Sequence, residues 1–421
     1  MIDRTKQPAI NAIKNLRLPP ISTDQLSNGV PVYSINMGTQ DVVKIEIIFK
    51  AGRPFEEKRL VARATNSLIK EGSAKYPANV LAEELDFYGC TLSTPFSLDT
   101  STVAVYCMNK HLPKVMPIIG EVLQGPAFSQ RALDAYIRRS AQQLKIDLAK
   151  SDVLAYRQVT EHIFGESHPY GYNSFEDTYG ALERADLQQH YERAYRSNNC
   201  QVVMSGKISS MHLELLDQCL GHFQEGAVPM QALPIPKETP RKIKMEHPNA
   251  VQSAIRIGRR LFNRHHPDYL PMYVLNTILG GYFSSRLMTN IREDKGYTYN
   301  VYSSLDGMLF DGYFFIGTET SNDLATAAKA EIYKEIRRLQ EELVGKEELE
   351  MVRNYLIGTF LTMLDGPFNV AETVKTIMLE DLAISFFDDL IRTVQEIQPE
   401  RIQQLAQQYL KEEELWEVVV G

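Results

Sequence analysis

Hydrophobic and polar positions along the chain fall into blocks whose order recurs once. In the first half, VVKIEIIFKAG (42–52) reads as a strand and LVARATNSLIKEG (60–72) as a helix. A helix at 80–89 and strands at CTLSTPFSLD (90–99) and STVAVYCMNK (101–110) follow. The second half offers QSAIRIGRRL (252–261), LPMYVLNTILGG (270–281), SSRLMTNIREDKG (284–296), YTYNVYSSLD (297–306) and GYFFIGTETS (312–321) in matching order. Gly89 and Gly296 stand 207 residues apart, as do Thr91 and Thr298, and Ser97-Leu98-Asp99 and Ser304-Leu305-Asp306. A period that long predicts two similar lobes, since solenoid units run ~20–50 residues.

Each half then turns to three- and four-residue apolar spacing, as at Ala325, Ala328, Ile332 and Ile336. Helices are predicted at 112–124, 130–150, 153–164 and 183–195, and again at 322–343, 346–364, 369–378 and 398–410. Short strands are expected near Val202–Met204 and at LWEVVV (415–420). Strands followed by helix blocks predict an α+β fold of two lobes, each an antiparallel-rich sheet with helices on one face. Five prolines in residues 226–248 interrupt both periods, because proline blocks helix interiors and central strands. The chain therefore divides into a first lobe (1–228), a linker (229–248) and a second lobe (249–421). The linker's Lys237, Arg241, Lys242 and Lys244 read as solvated charges rather than an anion site.

Composition narrows the function classes. Of 421 residues, 44% are hydrophobic and 23% charged, which is ordinary for a globular protein. The formal net charge of −8 argues against a nucleic-acid partner. Cysteines 90, 107, 200 and 219 form no CxxC pair and no disulfide framework. No apolar run reaches ~18–20 residues, so no membrane helix is expected. The first twenty residues lack a continuous apolar export run, and a cytoplasmic location is the resulting expectation. The nine histidines include no i, i+4 pair. His265-His266 precede Pro267 in a loop, where neighbouring side chains diverge, so they read as surface residues. Gly280-Gly281 belongs to no phosphate-loop motif and reads as a helix end or a close backbone approach. No GxSxG elbow is present, which leaves a serine hydrolase without a motif.

The segment GGYFSSRLMTNIREDKGYTYNVYSS (280–304) resembles the second-lobe signature of the insulinase/pitrilysin-type zinc metallopeptidases, in the branch that includes the mitochondrial processing peptidase. LSNGVPVYSI (26–35), the duplicated halves and HPYGYNSFEDTYGALERADLQQHYERAYRSNN (168–199) fit the same family. The resemblance implies two metallohydrolase-type α+β lobes enclosing a peptide chamber. In the family, zinc sits in the first lobe on an inverted HxxEH motif. Two histidines on one helical face bind the metal, the glutamate is general base, and a more distant glutamate is the usual third ligand.

Counting back from Gly72-Ser73, which resembles the family's Gly-Thr, the motif positions fall on Arg63, Asn66 and Ser67. A guanidinium has no lone pair for a cation, an amide is no general base, and a hydroxyl is a poor zinc ligand beside imidazole. The helix that should supply the third ligand carries Gln142, Gln143 and Lys145, with Asp147 the nearest acid. This chain is therefore expected to bind no metal. By its own pattern, Leu60, Val61, Ala64 and Leu68 make an apolar stripe, and Arg63, Asn66, Ser67 and Lys70 a solvated polar one. The resemblance would turn that polar stripe toward the chamber.

The second-lobe chemistry is intact. Arg292 and Tyr299 have the spacing of the family's arginine–tyrosine pair, which reaches across the chamber to the substrate. Arg292 is expected in the last turn of a helix over 284–294, capped by Gly296, with Tyr299 on the following strand. Taken alone, each has a plainer explanation: arginine suits a helix C-terminus and tyrosine suits a strand. The resemblance implies the non-zinc subunit of a heterodimer, working on peptides with a homologous HxxEH-bearing partner that holds the zinc. The alternatives are a non-catalytic scaffold, as in relatives that serve as core subunits of a respiratory complex, and a self-sufficient peptidase with an unfamiliar site.

Overall fold

The structure is a computed structural model that describes residue 13 and residues 16–236, 238–248 and 250–421. Lys237 of the linker cluster, and most of the N-terminal stretch read for an export run, lie outside the described residues.

The first lobe runs β1 (Ser22–Gln25), β2 (Pro31–Asn36), β3 (Val42–Phe49), α1 (Val61–Ile69), α2 (Ala78–Phe87), β4 (Thr91–Ser93), β5 (Ser101–Met108), α3 (Leu112–Gln124), α4 (Gln130–Asp147), α5 (Ser151–Phe164), α6 (Glu176–Gly180), α7 (Arg184–Ala194), β6 (Cys200–Gly206) and α8 (Ser210–Leu220). The second runs β7 (Lys242–Met245), β8 (Gln252–Leu261), α9 (Tyr269–Asn276), β9 (Val301–Gly307), β10 (Gly312–Ser321), α10 (Ala325–Glu341), α11 (Lys346–Met363), α12 (Gly366–Leu379), α13 (Phe386–Glu396), α14 (Pro399–Tyr409) and β11 (Trp416–Val420).

The duplication is explicit in the sheets. The first has strand order β1-β2-β6-β3-β5-β4 and the second β7-β11-β8-β10-β9. Without β1, the two orders superpose strand for strand. Each has one parallel pair, β2 with β6 and β7 with β11, in an otherwise antiparallel sheet. The fold is thus the two-lobed α+β architecture expected, with β7 drawn from the end of the proline-rich tract. Earlier in that tract, Gln231 N–H donates to Pro54 O at 2.7 Å.

Each sheet packs its own lobe's helices on one face. Val43, Ile45, Ile47 and Phe49 join Leu68, Val115 and Ile119 in the first core, and Ile255, Ile257 and Phe314 join Ile332 and Ile336 in the second. The opposite faces are covered by exchange. Helix α5 leaves the first lobe and lies on β8 and β11, where Ala155, Val159, Ile163 and Phe164 meet Phe315, Trp416 and Val418. Its counterpart α12 lies on β2 and β6, where Val370, Ala371 and Val374 meet Ile35, Ile48 and Val203. This exchange explains why β3 is buried almost throughout: Ile47 faces its own helices and Ile48 faces α12.

Three local expectations are corrected. The strand expected over 90–99 shrinks to Thr91–Ser93, because Pro95 cannot donate to the ladder; Phe96 and Ser101 form only an isolated bridge. The helix expected over 284–294 is widened into a π turn over Met288–Asp294. The following strand starts at Val301, so Tyr297 and Tyr299 precede it. Helices α8 and α13 go beyond the elements read from the sequence.

Candidate functional site

Helix α1 carries the positions where an HxxEH motif would stand. Its entry is unusual: Leu60, buried, has φ = 72°, a left-handed conformation that β-carbon contacts disfavour. Leu60 N–H donates to the Tyr172 phenol oxygen at 3.3 Å, and that phenol donates to Glu56 Oε1 at 2.5 Å. Glu56 Oε2 accepts from Ala62 N–H in the first turn of α1. Burial pushes the Glu56 carboxyl up to about 7, against the lowering pull of Tyr172 and Arg53. Glu56 and Tyr172 thus form a buried brace under the helix start.

The three motif positions have separate fates. Arg63 is exposed and makes no salt bridge or hydrogen bond among the described residues. Ser67 is half-buried. Asn66 corrects the solvated-stripe expectation, since it is fully buried. Its amide nitrogen donates to Thr94 O at 2.9 Å and Pro95 O at 3.0 Å, tying α1 to the loop after β4. A side chain in the second turn of a short helix reads as polar surface until a neighbouring loop closes over it.

Helix α4 does pack beside α1 and brings Gln143 and Asp147 to the cavity that Arg63 lines. Gln142 and Lys145 do not line it. Gln143 donates to Asp147 Oδ1 at 3.1 Å, and Lys150 reaches the same oxygen at 3.0 Å, holding the Asp147 carboxyl below its ordinary range. No group of three or more histidine, cysteine, aspartate or glutamate side chains is placed to hold a metal ion among the described residues. The family's zinc does not fit here. A guanidinium occupies the first ligand position, and the amide at the base position is already committed to two carbonyls.

The same cavity, of about 310 Å³, contains residues that sequence reasoning missed: Arg53, Arg157 and Tyr156, Tyr170, Tyr172 and Tyr179. Tyr170 and Tyr172 stand in the HPYGYNS tract, whose proline and glycine were the available signal of a functional loop. Arg53 lies over the Tyr172 ring at 4.2 Å and donates to Pro169 O and Tyr172 O. Arg157 donates to Ser174 O at 2.6 Å.

In the second lobe, Arg292 and Tyr299 are brought together. The Arg292 guanidinium lies 4.9 Å from the Tyr299 ring centroid and 4.7 Å from that of Phe283. Tyr299 is 85% exposed and Phe283 57%. Gly296, at φ = 65°, takes the left-handed turn that a side chain resists, and its N–H donates to Arg292 O. The pair sits just before β9, the last strand of its sheet. Gly280 is a close backbone approach, as a β-carbon there would come within 2.5 Å of Ser303 N. His266 stacks on Phe262 at 3.9 Å, and His265 is exposed.

Two paired α+β lobes, each a mostly antiparallel sheet with its own helices, define the class of fold. Residues 31–166 match the insulinase (peptidase family M16) model, and residues 181–356 match the peptidase M16 inactive domain. The chain belongs to the insulinase family, peptidase family M16.

Among curated relatives, it is 20% identical over 391 residues to the uncharacterized zinc protease YmxG of Bacillus subtilis, covering 92% of this chain and 95% of that one. It is 22% identical to the non-peptidase homolog YmxG of Helicobacter pylori, covering 75% and 74%. It is also 22% identical to the human mitochondrial-processing peptidase subunit beta, covering 89% and 79%. The crystal structure of a peptidase M16 inactive domain from Pseudomonas fluorescens shares the fold with TM-score 0.86 at 20% identity, covering 95% of this chain and 98% of that one. A Helicobacter pylori protease shares it with TM-score 0.89 at 17% identity, covering 96% and 100%. No helix of the described residues is long and apolar enough to cross a membrane.

Proposed function

We propose that this chain is a catalytically incomplete peptidase subunit. It binds extended peptides, and a homologous HxxEH-bearing partner supplies the zinc and the general base. The observation that carries the reading is a contrast within one molecule. The expected zinc positions hold Arg63, a buried Asn66 and Ser67, while a half-buried Arg292 and an exposed Tyr299 stand together just before an edge strand. An extended peptide adding to β9 would run past that pair. Its guanidinium and phenol are donors suited to a peptide carbonyl and to the oxyanion formed when water attacks it. That the mitochondrial-processing relative is named as a subunit supports the pairing. Four buried free thiols favour a reducing compartment, and a cytoplasmic setting is part of the proposal.

The test mixes this chain with a purified HxxEH-bearing relative from the same genome and follows cleavage of a fluorogenic peptide. Cleavage is expected in the mixture and not with this chain alone. Arg292→Ala or Tyr299→Phe should each lower the mixture's rate by ~10²–10³. Undiminished rates in both variants would remove the assigned roles. Stoichiometric zinc with activity in the isolated chain would overturn the whole reading. One observation favours the second reading, a non-catalytic scaffold: the cavity at Arg63 is lined by first-lobe residues only, without Arg292 or Tyr299. Under that reading the two chains associate and the mixture cleaves no faster than the partner by itself.

A further inference from the structure

Arg53, Arg63 and Arg157 line one cavity, and none of them forms a salt bridge among the described residues. Nearby carboxylates offset only part of this charge: Glu56 acts on Arg53 and Glu161 on Arg157, and Asp147 itself lines the cavity. Glu56 is held by Tyr172 and Ala62, and Asp99 by Tyr170 and Leu309. Asp147 is held by Gln143 and Lys150, and Glu161 by Asn173 at 2.6 Å. Arg53 and Arg157 spend donors on backbone carbonyls, which cancel no charge; Arg63 spends none. The tyrosine walls supply apolar ring faces. Three of their hydroxyls are committed: Tyr156 to Tyr313, Tyr170 to Asp99 and Tyr172 to Glu56. A cleft lined by three guanidiniums favours an anion, because charge-assisted hydrogen bonds are about twice as strong as neutral ones. Its ≈310 Å³ lies at the small end of ligand sites, which run ~300–1,000 Å³, enough for one terminal or side-chain group.

We propose that this cavity, standing where an active relative holds its metal, binds a carboxylate of the peptide ligand through Arg53, Arg63 and Arg157. The site rests on the peptide-binding reading and gives it a chemical preference: peptides ending in a free carboxylate, or bearing an acidic side chain. The loss of the zinc motif and the gain of Arg63 are then one change, from a cation site to an anion site.

The experiment uses the full-length chain alone and fluorescein-labelled alanine-based hexapeptides read by anisotropy. One peptide has a free C-terminus, one is its C-terminal amide, and one is the amide with an internal glutamate. The free acid, the glutamate peptide or both should bind roughly ten- to a hundredfold more tightly than the neutral amide, with the preference weakening as salt rises. Which of the two binds identifies the source of the carboxylate. Arg63 is exposed, so Arg63→Gln should fold normally and lose most of that preference. Arg63→Lys, which keeps the charge, should retain part of it, and Lys145→Gln, a charge change outside the cavity lining, should leave it unchanged. Equal binding of all three peptides overturns this proposal and spares the peptide-binding reading. Binding of none overturns both. Discrimination that survives in Arg63→Gln, with Arg157→Gln equally without effect, also overturns it.

Discussion

The two exchanged helices, α5 and α12, occupy corresponding places and hold them by different means. Helix α5 sits on the second sheet through large aromatic groups. The ring of Phe164 lies 5.6 Å from that of Tyr313 and 5.8 Å from that of Tyr170, and His162 stacks on Trp416 at 4.9 Å. Helix α12 sits on the first sheet through small aliphatic groups and a ring of charges. Lys44 and Lys375 each contact both Glu46 and Glu372 at 2.5–2.9 Å, and Glu46 is nearly fully buried. One topology thus tolerates two kinds of seat, because the exchange requires only that each outer sheet face be covered. The aromatic seat adjoins the proposed anion cavity, which α5 helps to line through Tyr156 and Arg157. The ionic seat lies on the other exchange contact.

The comparison is broken most forcefully at the aromatic seat. Phe164→Ala should cost about 3–5 kcal/mol in urea unfolding, the range for emptying a fully buried aromatic position. A loss below 1 kcal/mol would show that α5 is not held by this contact. In the ionic seat, Glu46→Gln leaves two ammonium groups without their buried acid and should cost about 2–4 kcal/mol. Adding Lys375→Met should recover part of that loss, and a purely additive double variant would remove the coupling.

Val374→Ala removes two buried methyl-sized groups and should cost about 2 kcal/mol, less than Phe164→Ala. An equal or larger loss would reverse the ranking of the two seats.

The pH response sharpens the contrast at the first lobe's brace. Burial raises the folded Glu56 carboxyl from 4.5 to about 7. Its proton is therefore held more tightly in the folded state. That contribution is complete below about pH 4.5 and is lost as pH rises through 7. Relative to the parent, Glu56→Gln should gain stability across that window by about 3 kcal/mol. Buried His168 and His190, both pushed down to about 4 chiefly by burial, act with the opposite sign, so the difference between variant and parent is the quantity to measure. A difference independent of pH would mean that Glu56 is ionised in the folded protein.

Much of this molecule was legible before any coordinates. The period-two and helical spacings located most of the strands and the long helices, and the recurrence of their order gave two lobes. At 63, 66 and 67 an arginine, an asparagine and a serine offer neither the imidazoles nor the carboxylate of an HxxEH motif, and those are properties of side chains legible in the sequence. Local punctuation was legible at Gly296, where the left-handed turn follows directly from the residue type. At Pro95 the alternation continues but the missing donor ends the strand at Ser93.

Tertiary structure decided what depends on partners distant in the chain. Nothing in the periodicity of residues 153–164 or 369–378 says which lobe's sheet each helix will cover, because an amphipathic face specifies burial and not its neighbour. Asn66 became a buried tie only when the loop carrying Thr94 and Pro95 closed on it. Arg53 and Arg157 lie more than a hundred residues apart, and with Arg63 they have no common motif. Arg53 precedes α1, Arg63 lies on it and Arg157 on α5, so their charges are set by residue type and only the fold gives them one cavity.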